Sequence, residues 1–303
     1  MATTVRWQGV YPALLTPFTA DDEIDLPLFA RNIHAQLEAG VHGLIIAGSL
    51  GEVSTLSGPE KLALLETALE ANNGRVPVIM NVAEAVTREA IRGAREAEAA
   101  GADGLMLLPP MRYFADARET VEFFKAIAQE TSLPIMIYNN PVDYKIMTTV
   151  AMFEELAVLP NIQAVKESTR DLTNITRMRN AFGDRYRILG GVDTLAFEAL
   201  LSGADGWVAG LVDAFPQETV AIFELAKAGR IDEALRIYRW FMPLLELDIL
   251  PKLVQYIKLA ATATGIGSEY VRAPRLTLVG DERERVQGII EAALATRPVL
   301  HVS

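Results

Sequence analysis

Hydrophobic residues form two kinds of stretch that alternate along the first 228 residues of the chain. The first kind is a short, continuous apolar run, which is typical of a strand buried on both faces of a parallel sheet. Eight such runs cover residues 10–18, 43–48, 76–83, 104–110, 134–141, 162–168, 186–193 and 206–211. The second kind spaces its apolar residues three and four positions apart, which predicts amphipathic helices. These helices cover residues 26–39, 59–72, 87–100, 118–130, 148–158, 172–181, 194–201 and 216–228.

Glycine follows the last predicted turn of six helices, which is typical of a helix that ends in a left-handed residue. These glycines are Gly40, Gly74, Gly101, Gly183, Gly203 and Gly229. A small residue followed by Gly-x-x-Gly leads into the next strand at residues 39–43, 100–104 and 202–206. A sequence motif that recurs between a helix and the next strand indicates one repeated βα unit.

Eight βα units predict a TIM barrel of the α/β class, (β/α)8. A doubly wound open sheet is the alternative, but no G-x-G-x-x-G turn follows the first strand. Beyond residue 228 the strand pattern stops. Helices are predicted over 231–246, 251–264 and 282–295, with Pro243, Pro251 and Pro274 as breaks. We therefore predict a barrel at residues 1–228 and a C-terminal three-helix extension at 229–303 that packs on it.

Composition narrows the classes of function. The chain has 303 residues, of which 50% are hydrophobic, and a formal net charge of −11. This charge argues against nucleic-acid and anionic-membrane surfaces, which attract clustered Lys and Arg. There is no cysteine, so disulfides, thiol nucleophiles and Cys-ligated metals are excluded. The histidines at 34, 42 and 301 are scattered, and we predict no metal site.

The N-terminus has no secretion-signal pattern and no apolar run reaches about 18 residues, so we expect a cytoplasmic protein.

Polar residues gather where the predicted strands end, which is where TIM barrels place their active sites. They comprise Ser49 and Glu52 after strand 2, Tyr138, Asn139 and Asn140 after strand 5, Lys166 after strand 6, and Asp193 after strand 7. Glycines accompany them at Gly48, Gly51, Gly191 and Gly210.

Lys166 ends the apolar run that begins at residue 162, and two interpretations are open. The lysine could extend its ammonium past the sheet edge into water. Alternatively it is a Schiff-base lysine, desolvated so that its neutral amine attacks a carbonyl. The other polar strand ends favour the second interpretation.

The neighbouring residues also have structural interpretations. Tyr138 could be a core tyrosine that bonds a loop carbonyl, and Gly48 and Gly51 could serve a tight turn. Ser49 could satisfy its own turn backbone. Asp193 could be the N-cap of the helix that starts at residue 194. Ser57 followed by Glu60 predicts a capping box and not a site.

Four motifs together resemble a known family. They are Gly48-Ser49-Leu50-Gly51-Glu52, Tyr138-Asn139-x-Pro141, Val165-Lys166-Glu167-Ser168 and Gly191-x-Asp193. In this order, over essentially the whole chain, they resemble the dihydrodipicolinate synthase and N-acetylneuraminate lyase superfamily of class I aldolase-type barrels.

The resemblance implies that Lys166 forms an imine with a pyruvate-like 2-oxo acid, that Tyr138 transfers protons, and that Ser49 with the Leu50 amide holds the carboxylate. It also implies no cofactor beyond the covalent imine, and a homotetramer built as a dimer of dimers. The chemistry agrees, because burial lowers the pKa of a lysine and a phenol can move protons at the carbinolamine. The predicted substrate contacts are Gly48, Leu50, Gly51, Asn140, Asp143, Gly191, Asp193, Gly210 and Arg112.

The chain departs from the synthases of this superfamily at several positions. Those synthases resemble one another in an arginine where this chain has Asp143, and in two aromatic residues where it has Met111 and Arg112. Leu50 replaces their second threonine, and Gly210 lacks the hydroxyl that a sialic acid lyase would use. Arg112 or Asp143 is expected to bind the distal end of the substrate.

With the stretch 253–258, the pattern most resembles the 1-pyrroline-4-hydroxy-2-carboxylate deaminases, which release ammonia and 2-oxoglutarate semialdehyde. The alternatives are a dihydrodipicolinate synthase, another 2-keto-3-deoxy sugar-acid aldolase or dehydratase, and a barrel that binds a small molecule without turnover. A phosphate-binding barrel is favoured less, because Asp213 follows strand 8.

Overall fold

The computed structural model describes residues 5–300, so His301 lies outside the described residues. Eight parallel strands form one sheet in the order β1-β8-β7-β6-β5-β4-β3-β2. A bridge between Ala13 and Ile45 joins the first strand to the second and completes the ring. The strands are β1 (Gly9–Pro12), β2 (Leu44–Ile46), β3 (Val78–Val82), β4 (Gly104–Leu107), β5 (Ile135–Asn139), β6 (Ile162–Glu167), β7 (Arg187–Gly190) and β8 (Gly206–Ala209). The predicted TIM barrel is confirmed.

Helices surround the barrel, and twelve α-helices lie within residues 5–300. They are α1 (Leu26–Ala39), α2 (Gly58–Asn72), α3 (Thr87–Ala99), α4 (Ala117–Ala128), α5 (Pro141–Tyr144), α6 (Val150–Leu156), α7 (Thr173–Phe182), α8 (Ala196–Leu201), α9 (Pro216–Lys227), α10 (Ile231–Leu245), α11 (Leu253–Ala263) and α12 (Gly280–Ala295). Short 3-10 helices occupy Val53–Thr55, Asp193–Leu195, Leu211–Asp213 and Glu246–Ile249. The six predicted C-terminal glycines all have positive φ.

The strands are shorter than the apolar runs that predict them, because each run continues past the sheet into the loop above it. β7, for example, ends at Gly190, and the chain then enters the 3-10 helix at Asp193. A single turn of helix, α5, was not predicted because four residues are too few to show a helical period. The Asn140 side chain caps this turn by accepting a hydrogen bond from the Asp143 amide at 3.2 Å.

The C-terminal extension packs directly on the barrel. Phe215 of the barrel meets Trp240 and Phe241 edge to face, with ring centroids 5.8 and 5.5 Å apart. The Tyr238 hydroxyl donates to the Asp193 carbonyl at 3.2 Å, at the end of β7. The extension therefore helps to shape the loops above the barrel, while its division from the barrel at residue 228 stays a prediction.

The prediction that Pro243 breaks a helix was wrong. Pro243 lies inside α10, which continues to Leu245. The proline sits in the last turn, so its missing N–H removes one hydrogen bond and little helix remains beyond it.

A buried ion pair joins the loop after β2 to the extension. The Lys258 ammonium lies 2.5 Å from a Glu52 carboxylate oxygen, and the two side chains are 1% and 0% exposed. The ammonium also donates to the Tyr270 carbonyl at 2.6 Å, and Glu52 accepts from the Arg272 amide at 3.2 Å. Burial lowers the pKa of Lys258 to about 8, although the Glu52 charge acts in the opposite direction.

Replacing Lys258 by methionine should lower the free energy of unfolding by about 1–3 kcal/mol, because the buried Glu52 carboxylate would lose its nearest cation and keep only Arg275, 3.5 Å away. Urea unfolding measures this change. The double variant with Glu52→Gln should recover part of the loss. The control is Lys252→Met, which removes a half-exposed ion pair with Glu282. This variant should lower the free energy of unfolding by no more than about 1 kcal/mol. Equal stabilities of Lys258→Met and the wild type would contradict this account.

Candidate active site

Lys166 lies near the end of β6 and is 7% exposed. Ala164 and Val165 before it are fully buried, so the lysine follows an apolar part of the strand. The lysine ammonium lies 4.1 Å from the centroid of the Tyr138 ring, and the two residues are paired directly on neighbouring strands. The side chain therefore ends in a buried cavity and not in bulk water.

Burial lowers the pKa of Lys166 from 10.5 to about 8, although Asp248, Asp193 and Asp143 favour the charged ammonium. At pH 7 a group with such a pKa is neutral in about one molecule in ten, against about one in three thousand at the ordinary value. A neutral amine is the form that attacks a carbonyl carbon.

Tyr138 stands at the end of β5 and is 7% exposed. Its hydroxyl accepts a hydrogen bond from the Asn140 side-chain amide at 3.1 Å, and within residues 5–300 no hydrogen bond joins this hydroxyl to a loop carbonyl. Burial raises the pKa of Tyr138, which keeps the phenol protonated at neutral pH. The same Asn140 amide donates to Asp143 at 2.7 Å, which fixes its orientation.

Ser49 lies on the loop after β2, where its hydroxyl is hydrogen-bonded to the Tyr144 hydroxyl. The Tyr144 ring in turn meets the Tyr138 ring edge to face, with centroids 5.6 Å apart. Burial raises the pKa of Tyr144, so this hydroxyl also keeps its proton. Sequence reasoning missed Tyr144 because it lies in α5, outside every motif and too short a helix to predict.

A cavity opens at the carboxyl ends of the strands. Of the residues predicted from the sequence, its lining contains Gly48, Ser49, Leu50, Tyr138, Asn140, Asp143, Lys166, Gly191 and Gly210. The strand-end residues thus share one cavity, as the barrel topology predicts.

Two of these glycines leave room for neighbouring side chains. A Cβ on Gly191 would lie 2.6 Å from Cγ of Lys166, so a larger residue would displace the lysine. A Cβ on Gly210 would lie 2.7 Å from an Asp248 carboxylate oxygen. Each glycine therefore acts by letting another group approach the cavity.

Three predicted substrate contacts do not line the cavity. Arg112 is exposed on the loop after β4 and is absent from the cavity lining. Gly51 lies behind the cavity, where a Cβ would stand 2.8 Å from the Leu14 carbonyl oxygen. Asp193 also lies behind the cavity and is 1% exposed.

Asp193 is held by the loop after β8 and by a tryptophan. Its carboxylate accepts hydrogen bonds from the Trp207 indole at 2.9 Å, the Gly210 amide at 3.1 Å and the Leu211 amide at 2.8 Å. The side chain makes no cap bond to its own helix, so the N-cap interpretation was wrong. Asp193 therefore holds the Gly210 loop in place.

The cavity also contains residues that sequence reasoning missed. They include Ser168 and Arg170 after β6, and Asp248 from the 3-10 helix Glu246–Ile249. Arg170 is exposed at the cavity and has a φ of 63°, in the left-handed region. No motif marks Asp248, since it lies 82 residues beyond Lys166 in a stretch of purely helical pattern.

Residues 5–300 contain no group of three or more His, Cys, Asp or Glu side chains arranged to hold a metal ion. The same residues form no helix with the length and hydrophobicity needed to cross a membrane.

The model of the dihydrodipicolinate synthetase family matches residues 6–293. The chain belongs to this family. It is 36% identical over 273 residues to the 4-hydroxy-tetrahydrodipicolinate synthase of Exiguobacterium sibiricum, covering 90% of this chain and 92% of that one. It is 31% identical to a DapA-like lyase of Rhizobium meliloti, covering 95% and 97%.

Solved structures of the dihydrodipicolinate synthetase family have the same fold. The 4-hydroxy-tetrahydrodipicolinate synthase of Methylacidiphilum fumariolicum superimposes with a TM-score of 0.91 at 27% identity, covering 95% of this chain and 96% of that one. The dihydrodipicolinate synthase of Acinetobacter baumannii, solved with pyruvate, gives 0.90 at 26% identity, covering 94% and 98%. The chain is an enzyme of the class I, Schiff-base lyase type, and enzymes of this family use a lysine imine with no external cofactor.

If Ser49 holds the substrate carboxylate and Lys166 forms the imine, as the resemblance implies, replacing Tyr144 by phenylalanine should raise KM for pyruvate up to about tenfold. The Ser49 hydroxyl would lose the partner that orients it, and one such hydrogen bond contributes roughly 1 kcal/mol. The maximal rate of adduct formation on Lys166 should change little. Trapping rates at increasing pyruvate concentrations separate the two effects. Tyr113→Phe, on the exposed loop after β4, is the control. A fall in the maximal rate with an unchanged KM would show that Tyr144 does not position the carboxylate site.

Proposed function

We propose that Lys166 is the nucleophile and that it forms an imine with a pyruvate-like 2-oxo acid. The observation that carries this proposal is the buried ammonium of Lys166, 4.1 Å from the Tyr138 ring at the end of adjacent strands. The lowered pKa of Lys166, about 8, supplies neutral amine at neutral pH. The pyruvate complex of the Acinetobacter baumannii relative also supports the choice of substrate.

In this proposal the substrate carboxylate is held by the Ser49 hydroxyl and the Leu50 backbone amide. The Lys166 amine attacks C2, and Tyr138 donates a proton to the oxygen that leaves the carbinolamine as water. The protonated imine then withdraws electrons from C3, so a C3 proton becomes removable and a C3–C4 bond becomes breakable. The Ser49 hydroxyl is hydrogen-bonded to the Tyr144 hydroxyl, and the Tyr144 ring contacts the Tyr138 ring, which lies beside Lys166. These contacts support a shared role of the three residues in binding and converting the substrate.

Two outcomes of this intermediate are supported by different observations. The names of the relatives support condensation of pyruvate with an aldehyde, as in a 4-hydroxy-tetrahydrodipicolinate synthase. The acids that line the cavity, Asp143 and Asp248, support a substrate whose distal end carries hydroxyl groups. The second candidate is therefore dehydration and deamination of 1-pyrroline-4-hydroxy-2-carboxylate to 2-oxoglutarate semialdehyde.

Side-by-side turnover assays test these two candidates. One assay supplies pyruvate with aspartate semialdehyde and follows loss of the aldehyde. The other supplies 1-pyrroline-4-hydroxy-2-carboxylate and follows release of ammonia. Turnover in the first assay alone assigns the synthase activity, and turnover in the second alone assigns the deaminase activity. Turnover in neither, with a 2-keto-3-deoxy sugar acid consumed instead, would contradict both candidates.

The protein is also proposed to act as a cytoplasmic homotetramer, built as a dimer of dimers. Support comes from the loop after β4, where Tyr113 and Phe114 are 60% and 69% exposed beside the exposed Arg112. Large apolar side chains at such exposure are typical of a surface covered by another subunit. Sedimentation velocity measures the assembly, and Phe114→Asp should shift it toward smaller species if this loop is an interface.

A further inference from the structure

Asp248 reaches the cavity from the C-terminal extension. It lies in the 3-10 helix Glu246–Ile249, between α10 and α11, and lines the cavity together with Ile249 and Leu253. Its carboxylate fills the space above Gly210, where a Cβ would come within 2.7 Å of it. A side chain on residue 210 would therefore push Asp248 away, so the glycine and the acid fit each other.

Asp248 and Tyr138 stand on different sides of Lys166. Tyr138 belongs to β5, which neighbours β6 on one side, whereas Gly210 follows β8, which lies beyond β7 on the other. The structure thus places a phenol and a carboxyl group around the same lysine. Two separate proton-transfer groups suit a reaction in which two different leaving groups, one on C2 and one on C4, must be protonated.

The two acids near Lys166, the buried Asp193 and the half-buried Asp248, have different surroundings. Burial raises the pKa of Asp193, but its carboxylate accepts three hydrogen bonds, from Trp207, Gly210 and Leu211, which act in the opposite direction. Asp248 is raised well above its ordinary pKa by burial and by the Asp193 charge, while the Lys166 ammonium and the Asp193 amide act in the opposite direction. Of the two acids, Asp193 has the hydrogen bonds that favour an anion, and Asp248 is therefore the one better suited to hold a proton.

Other groups that face the cavity are less suited to donate this proton. Asp143 is exposed and accepts a hydrogen bond from Asn140, which makes it an acceptor that orients Asn140 and Tyr138. Tyr144 is hydrogen-bonded to Ser49. Arg170 is a guanidinium, which does not give up its proton.

We propose that Asp248 is a catalytic residue that donates a proton to the hydroxyl group leaving C4 of the Lys166-bound substrate. The inference rests on the proposed function, because it requires the imine on Lys166. Tyr138, left as a phenolate after it protonates the group that leaves C2, takes a C3 proton, and this gives the enamine. The enamine nitrogen pair then reforms the C2=N bond, the C2=C3 pair shifts to C3=C4, and the C4–O bond breaks. The Asp248 proton goes to the departing oxygen, which leaves as water, and Asp248 becomes a carboxylate. The substrate class is a 2-oxo acid, or its cyclic imine, with a hydroxyl group on C4.

The experiment compares Asp248→Asn with wild type in two assays. Borohydride trapping of pyruvate reports the imine on Lys166 and should be unchanged, which also shows that the variant is folded. Turnover of 1-pyrroline-4-hydroxy-2-carboxylate should fall by about 10²–10⁴-fold, the usual contribution of general acid catalysis. Glu246→Gln, an exposed acid of the same 3-10 helix, is the matched control and should behave as wild type in both assays.

The 4-chloro counterpart of the substrate separates proton donation from a structural role, since departing chloride needs no proton. Asp248→Asn should process it at nearly the wild-type rate, and Asp248→Glu should restore part of the activity on the hydroxy substrate. If Asp248→Asn slows the reactions of the hydroxy and the chloro substrates equally, Asp248 is not the proton donor. A wild-type rate of this variant on the hydroxy substrate would also overturn the assignment. Wild-type protein that forms the pyruvate adduct but eliminates no hydroxyl would also overturn it. Absence of any adduct would instead refute the proposed function.

Discussion

Replacement of Lys166 by alanine is expected to abolish turnover and to remove the pyruvate adduct, while the protein stays folded. The reaction needs a covalent electron sink, and no other amine lines the cavity among residues 5–300. The loss should reach the background of the assay, since alanine cannot form an imine. Steady-state rates and intact mass after borohydride reduction measure the two effects.

Stability should not fall in the Lys166→Ala variant. The pKa of this lysine is lowered from 10.5 to about 8, so between these values the unfolded chain holds the proton more tightly than the folded chain. The contribution of Lys166 to stability therefore rises with pH through this window, and below pH 8 the buried ammonium is a cost. Urea unfolding at pH 7 should show the alanine variant at least as stable as wild type.

Lys258 is the natural comparison, because burial lowers its pKa to about 8 as well. Its ammonium is held by Glu52 and lies outside the cavity lining. Lys145→Ala, at an exposed lysine, supplies a control with full activity. Substantial turnover by Lys166→Ala, or an adduct carried by Lys258, would show that the nucleophile is assigned wrongly.

Replacement of Tyr138 by phenylalanine should slow turnover by about 10²–10⁴-fold, because the carbinolamine oxygen loses its proton donor. Phenylalanine keeps the ring that lies against the Lys166 ammonium and the edge contact with Tyr144. The fold and the pyruvate affinity should therefore change little. Single-turnover trapping measures imine formation directly. An unchanged rate would show that another group, and not Tyr138, donates this proton.

The fold was predictable because its signals are local and repeated. Each strand is a buried apolar run and six helices end in glycine, so the βα unit recurs with its boundaries marked. The predicted capping box at Ser57 and Glu60 is present for the same reason, since both of its hydrogen bonds lie within four residues. Pro243 shows the limit of the rule that proline breaks a helix. The stability that a proline removes from a helix depends on how much helix follows it, and Pro243 lies in the last turn of α10.

The candidate site was predictable only where its residues follow strands. Lys166, Tyr138 and Ser49 end or follow barrel strands, and parallel strands bring their carboxyl ends together. Asp248 reaches the same cavity from the extension, and Tyr144 contacts Ser49 from a single helical turn, so no spacing in the sequence relates either residue to Lys166. Arg112 follows a strand as well, yet it is exposed and does not line the cavity, and the path of a loop beyond its strand depends on tertiary packing.

The most direct test of the central claim is to incubate the protein with pyruvate and borohydride, weigh the intact chain and map the modified peptide. The account predicts one pyruvate-sized adduct, carried by Lys166 and absent from Lys166→Ala. An adduct on any other residue, or a chain that stays unmodified at saturating pyruvate, would contradict it.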